Sequence, residues 1–316
     1  MFGDEGDDNL FGGTGHDGIS GYDGDDHLDG GAGDDDLRGG SGEDKIYGGA
    51  GKDYIGAGGD ADTVYGGDGD DDIMAGNGQD DVHGDAGDDQ IYGGRGADDL
   101  WGGSGNDTIR GGVGADILRG EEGDDILLGG YTRNGNDSES DTDSDRTIEY
   151  EYIYGDEGDD LIFGERDITK QYLLGGTGND FIKGNNKSGT SKLWGGDGDD
   201  TIDFGGRATV EQNVWGGKGD DRIGARTHFD EVDQEWQMTA FYDDDFIAVA
   251  AESGDFAGTG RRLNEVENLY GEQGDDIIVG GTDVKTTQNI HGGSGDDRVY
   301  AGAENAGVTF LYGNSG

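Results

Sequence analysis

Aliphatic residues recur every nine positions, from Leu10 and Ile19 to Leu118 and Leu127, and the residues around them follow one grammar. Residues 3 to 128 divide into fourteen nine-residue units without an insertion or deletion; one reads Gly102-Gly103-Ser104-Gly105-Asn106-Asp107-Thr108-Ile109-Arg110. A period of nine suits neither a helix, at about 3.6 residues, nor a continuous strand, at about 2. It marks a stacked repeat whose units are single supersecondary pieces. Places seven to nine alternate polar, aliphatic and polar, as in a very short strand that buries one side chain. Places one, two and four are mostly glycine, which permits positive φ and leaves no Cβ in the way. The first six residues are therefore expected to form a tight turn with carbonyls pointing inward. Two units, or eighteen residues, then complete one coil of a flattened all-β spiral, with successive units on opposite edges.

The sixth place is Asp in every unit: Asp8, Asp17, Asp26, Asp35, Asp44, Asp53, Asp62, Asp71, Asp80, Asp89, Asp98, Asp107, Asp116 and Asp125. In such a spiral each lies over the one eighteen residues away, as Asp89 does over Asp107. Carboxylates stacked at about 4.8 Å, the spacing of adjacent strands, repel one another unless a cation sits between them. A hard divalent ion that takes six to eight oxygens suits a flexible, carbonyl-rich cage, and calcium suits it better than magnesium. Unit seven, residues 57–65, departs from the pattern, with Ala57 at place one and Asp60 at place four, so its loop is expected to hold metal less well. Place nine varies (Phe11, Tyr47, Tyr65, Tyr92, Trp101, Arg110). Its aromatics read as cover on the strands rather than a sugar platform, because they recur without a fixed spacing.

From residue 149 the grammar changes. Units open at Gly155, Gly175, Gly195, Gly216, Gly271 and Gly292, and their place-six residues are Asp160, Asp180, Asp200, Asp221, Asp276 and Asp297. The intervening half-turns, such as residues 184–194, lack the glycine pattern. Yet the second residue before each returning glycine is aliphatic: Ile153, Leu173, Leu193, Val214, Leu269, Ile290 and Leu311. The inward ladder thus continues on both edges while the loops persist on one. Two ion rows are expected in the first half and one in the second.

Units of this form resemble the RTX, or hemolysin-type, calcium-binding nonapeptide, and the resemblance spans most of the chain. It implies an all-β, parallel β-roll, a β-helix solenoid, with calcium between consecutive loops of one edge. The ligands it implies are backbone carbonyls and the twenty place-six aspartates named above. The run from Asn264 to Asp276, NEVENLYGEQGDD, resembles a joint common among RTX repeats at which a strand returns to the roll. The expected organisation is a regular roll over 1–128, an acidic loop insertion over 129–148, a one-row roll over 149–224, an insertion over 225–262 and a continued roll over 263–316. Within the first insertion Asp141, Asp143 and Asp145 have the opening spacing of an EF-hand loop. Arg146 and Tyr152 stand where its Gly and Glu belong, which favours a solvated loop. In the second, Trp236 to Tyr242 and Phe246 to Ala250 read as a hairpin. It is either a shield for one end of the roll or a contact for a protein or surface partner.

Composition changes the picture in one respect. The chain has 73 acidic and 21 basic residues, a net charge of −52, 72 Gly, no Pro, no Cys and 30% hydrophobic residues. Charge and hydropathy alone would place it among disordered chains. The repeat overrides that reading once metal is bound, because about sixteen calcium ions would cancel roughly 32 charges. Without them, self-repulsion and the entropy of glycine predict an unfolded chain. An acidic surface argues against nucleic acid and membrane insertion, and the absence of Cys leaves metal as the available staple. Extracellular calcium modules bind at about 10⁻⁴ to 10⁻³ M, which points to a secreted or bacterial cell-surface protein. No N-terminal leader is legible; the resemblance implies type I export through an uncleaved C-terminal signal, which is not legible either.

Catalytic motifs are not supported. Gly13-Thr14-Gly15-His16-Asp17-Gly18 satisfies GxGxxG but opens no helix. The histidines His16, His27, His83, His228 and His291 have no HExxH or triad spacing. The favoured function is a noncatalytic, calcium-dependent folding and secretion module of an extracellular RTX protein. The alternatives are a rod segment of an adhesin, or the repeat region of a secreted enzyme or toxin whose active domain lies elsewhere. A chain that stops at Gly313-Asn314-Ser315-Gly316, inside a unit, fits a fragment.

Overall fold

A computed structural model describes residues 1–130, 150–164, 170–184, 190–204, 211–224, 265–279, 286–300 and 309–312. Strands taken alternately along the chain build two parallel sheets of fourteen strands each. One runs from Phe2–Glu5 to Arg298–Tyr300, the other from Asn9–Thr14 to Thr309–Tyr312. We call these the first and second sheets. Partners in the regular half are eighteen residues apart, as where Asp81, Val82 and His83 lie beside Asp99, Leu100 and Trp101. No strand neighbours its sequence successor within a sheet, so the chain winds as the spiral that the nine-residue period predicts.

Place-eight side chains from both sheets meet in a single narrow core. From Ile19 to Leu127 none is more than 2% exposed, and Leu10 in the first described coil reaches 8%. The second half keeps the same two columns. Ile153, Leu173, Leu193, Val214, Leu269 and Ile290 stand in one sheet; Ile162, Ile182, Ile202, Ile223 and Ile278 stand in the other, all buried. Leu311 pairs with Ile290 through its backbone, and its side chain lies outside the described residues. One buried aliphatic per half-coil makes a thin core, so stability rests on contacts between neighbouring coils.

Two local expectations need correction. Between Asn9 and Glu122 the strands are six residues long, reaching through place three of the next unit, as in Lys45–Ala50, and the turn is correspondingly short. Main-chain pairing runs on through the glycines, with Gly49 beside Gly67 and Ala50 beside Asp68. The glycine places also serve different purposes. Places two and four take positive φ, and Asp4, Tyr22, Asp85, Glu121, Asp156 and Glu272 adopt it at place two, as Asp60 does at place four. Place one is governed by space: a Cβ on Gly48 would land on the Gly66 carbonyl and on Asp53 Oδ2.

The place-nine aromatics do have a fixed spacing, contrary to expectation. Consecutive units alternate between sheets, so residues eighteen apart share a column on the second sheet, while Tyr92 belongs to the first. Tyr47, Tyr65, His83 and Trp101 stack there with centroids 5.1, 4.9 and 4.5 Å apart and planes within 9° of parallel. Arg119 lies 4.4 Å over Tyr154, and farther along Trp194 stacks on Trp215 at 4.5 Å. Ring faces are turned towards each other along the axis and edges point out, which agrees with cover and closes the stacked faces to a sugar.

The acidic run of 129–148, with Asp141, Asp143 and Asp145, falls almost wholly outside the described residues. So do the 225–262 insertion with its hairpin and partner contact, and the chain end at 313–316.

Candidate metal centre

Each turn brings a place-six Asp to the base of an edge loop, and successive loops on one edge are held in register by the two sheets. The twenty predicted aspartates form two columns. Asp8, Asp26, Asp44, Asp62, Asp80, Asp98 and Asp116 line edge one. Asp17, Asp35, Asp53, Asp71, Asp89, Asp107, Asp125, Asp160, Asp180, Asp200, Asp221, Asp276 and Asp297 line edge two.

Neighbours within a column are tied by one repeated hydrogen bond. The backbone N–H of each Asp donates to Oδ1 of the Asp one coil later, at 2.7–3.2 Å, in eighteen successive pairs. The column on edge two crosses both long insertions unbroken: Asp125 donates to Asp160 at 2.9 Å and Asp221 to Asp276 at 3.0 Å. Sequence separation of 35 or 55 residues is thus no obstacle.

The other carboxylate oxygen is the chemically telling one. Oδ2 is buried and without a hydrogen-bond partner in eighteen of the twenty aspartates, Asp116 and Asp297 being the exceptions. A buried anionic oxygen with no donor is costly and rare. Repeated eighteen times, it describes a position made for a positive charge. Beside it stand place-one groups: the Cα of Gly120 faces Asp125 Oδ2 and the Gly155 carbonyl of the next coil, and Gly175 faces Asp180 Oδ2 and the Gly195 carbonyl. Among the described residues no three His, Cys, Asp or Glu side chains converge. An ion here would rest on carbonyls with carboxylates from adjacent loops, an all-oxygen set of the kind hard cations take. The residues present therefore fit calcium.

Burial is the main reason these carboxyls resist ionisation. It pushes Asp62 and Asp200 up to about 8, Asp71, Asp107, Asp160 and Asp221 up to about 7, and Asp98 and Asp180 up to about 6. The amide of the preceding coil opposes the shift, and stacked carboxylates add to it for most of them. Ionised, the columns need a counter-ion.

Two features escaped the sequence reading. At place five of edge two a second, exposed column runs Asp70, Asp88, Asn106, Asp124, Asp159, Asn179, Asp199, Asp220, Asp275, Asp296, recognisable in retrospect as the doubled GDD and GND spelling. Its hydrogen bonds point the other way, each later amide donating to the earlier side chain: Asn106 to Asp88 at 2.8 Å, Asp124 to Asn106 at 2.9 Å. On edge one, beyond the first insertion, a buried polar series Glu151, Gln171, Ser191 follows the aspartates. Gln171 Nε2 donates to Glu151 Oε2 at 2.7 Å.

The model of the RTX calcium-binding nonapeptide repeat matches residues 2–130 in overlapping copies, and again 151–168, 171–186, 187–206, 267–283 and 289–305. That is well over half of the chain. The chain belongs to the RTX calcium-binding nonapeptide repeat family. No curated protein matches it. As an RTX repeat protein it is a structural calcium-binding module, and its parallel solenoid is the β-roll that the resemblance implied.

Proposed function

We propose that the place-six aspartates of both edges hold calcium between consecutive loops, and that the chain is a noncatalytic module whose folding and calcium loading are one event. The observation that carries this is the repetition of a buried, donor-less Oδ2 beside a place-one carbonyl along both edges. One ion at each of the eighteen hydrogen-bonded steps would give about eighteen, somewhat above the about sixteen counted from sequence, because both insertions are bridged. Bound calcium would neutralise the paired carboxylates and draw adjacent carbonyls into one coordination shell. Weak extracellular-type affinity would leave the chain unfolded where calcium is scarce and folded outside the cell, which supports a secreted or surface-located role.

Circular dichroism during a calcium titration from chelator to about 10 mM spans that affinity range. At about pH 8, where the raised carboxyls ionise, the expected result is coil without metal and a cooperative gain of β signal with it. A spectrum that stays β-like at that pH after exhaustive chelation would overturn the proposal.

A further inference from the structure

We propose that edge one carries an eighth carboxylate ligand, Glu151, which closes its ion row as the place-six residue of a fifteenth, split unit. This rests on the proposal that place-six carboxylates hold calcium, and extends it to a residue outside the nonapeptide spelling.

Counting by nines, Gly129 and Gly130 are places one and two of a unit after residue 128, and Gly130 pairs with Gly112 as place two pairs elsewhere. The unit then leaves the pattern and returns at the strand Tyr150–Glu157. There Tyr152 lies beside Ile117 and Ile153 beside Leu118, so Glu151 falls over Asp116. The backbone agrees: Tyr152 N–H donates to the Asp116 carbonyl at 3.2 Å, as Ile117 does to Asp98 at 2.8 Å and Asp99 to Asp80 at 2.9 Å. Tyr152 is therefore place seven and Glu151 place six.

The cradle is also conserved in kind. Every place-one glycine of the regular half faces the carboxylate of its own unit, Gly111 facing Asp116 and Gly120 facing Asp125. Gly129 faces Glu151 Oε1 in the same way. The Gly129 carbonyl in turn stands over Gly111, where the next coil's place-one carbonyl stands at the earlier steps. Glu151 is 2% exposed, a depth at which an anion requires compensation. Two carboxylates and a place-one carbonyl are thus present between Asp116 and Glu151, although Asp116 Oδ2 is not one of the eighteen buried oxygens without a donor.

One coil later the series changes character. Gln171 supplies a neutral amide donor to Glu151 Oε2, standing where the following coil would otherwise supply another anion needing an ion. Glu151 joins two regimes: calcium below it, hydrogen bonding above.

The test is a count of bound calcium at fixed, saturating free calcium, by native mass spectrometry or by elemental analysis after gel filtration. Glu151→Gln keeps an acceptor for Gln171 but removes the charge, and should hold one ion fewer than the parent. Gly129→Ala, which drives a methyl into Oε1, should lose the same ion. Glu151→Asp should keep the parental count. Circular dichroism in calcium shows which variants fold, and if Glu151→Gln does not, Gly129→Ala decides. Parental counts in both Glu151→Gln and Gly129→Ala overturn the assignment of Glu151. A parent that binds no calcium overturns the wider proposal instead.

Discussion

The two halves of the roll share one core and differ at one edge. In residues 1–130 both edges turn through glycine-rich loops with a place-six Asp; among the described residues of 150–300 such loops stand on edge two. Edge one there passes through Glu151, Gln171 and Ser191, all buried, and Gln171 hydrogen-bonds Glu151 directly. The aliphatic columns do not register the change: Leu118 and Ile153 lie side by side and both are fully buried. A solenoid edge can therefore carry a column of stacked carboxylates or a mixed series of buried polar side chains, provided the coils stay in step. Under the proposed function the first device makes the fold conditional on metal.

The largest effect should come from the second half, where the described place-six aspartates stand in one column. Asp180→Ala with Asp200→Ala removes adjacent carboxylates from the place-six column on edge two of the second half. Limited proteolysis in calcium is expected to show residues 150–300 degraded while 1–130 stays protected. Asp98→Ala with Asp116→Ala leaves edge two of the first half intact and should only raise the calcium midpoint and lower its cooperativity. Equal damage from the two pairs would erase the contrast drawn above.

Acid should partly replace metal. Protonation of a carboxyl whose folded pKa lies above its ordinary 3.8 favours the folded state. That contribution is complete below about pH 4 and is lost as pH rises through the folded values. For Asp98, Asp71 and Asp62 these are about 6, about 7 and about 8. In chelator, β signal should therefore be greater near pH 4 to 5 than at pH 8, with the loss spread between about pH 5 and 8. Far-ultraviolet dichroism across that range is the check; greater metal-free structure at pH 8 would contradict the burial of these groups.

Two smaller effects sharpen the roles of individual places. Gly48→Ala puts a methyl against Asp53 Oδ2 and the Gly66 carbonyl, and overpacking of this kind costs about 1–3 kcal/mol. Denaturant unfolding in calcium should register it, and an unchanged midpoint would show that place one has slack, as the buried Ala57 and Ala75 already suggest for their own units. Asp60→Gly should stabilise by about 0.5–1 kcal/mol, since Asp60 holds φ at 77° where a side chain is strained. The same measurement would expose a loss instead.

Places six and eight were legible because each demands one kind of side chain: an anion at the loop base, an aliphatic in the core. Such demands survive any insertion that leaves the coils in register, as Asp221 and Asp276 show. What escaped notice was relational. The Tyr47–Tyr65–His83–Trp101 stack looked irregular because neighbouring units lie on opposite sheets and true neighbours are two units apart. Glu151 was hidden because its half of the unit is displaced from Gly129 by a stretch that defeats counting by nines, and Gln171 because an amide carries no metal signature. Strand length was misjudged because glycine reads as a breaker in sequence, whereas here the close approach of successive coils demands it within the strand.

The hydrogen bonds of the place-six column have a consequence for how the rod is built. Each amide finds its acceptor on the coil that comes after it in the chain, never on the one before, so the stack has a polarity that its near-repetition conceals. An incomplete rod that ends early leaves its last place-six amides waiting for a coil yet to arrive, whereas one that starts late leaves the place-five and place-seven amides of its first coil without the acceptors that the coil before would supply. Each end of the rod therefore exposes its own set of unmet amides, and each requires its own closure.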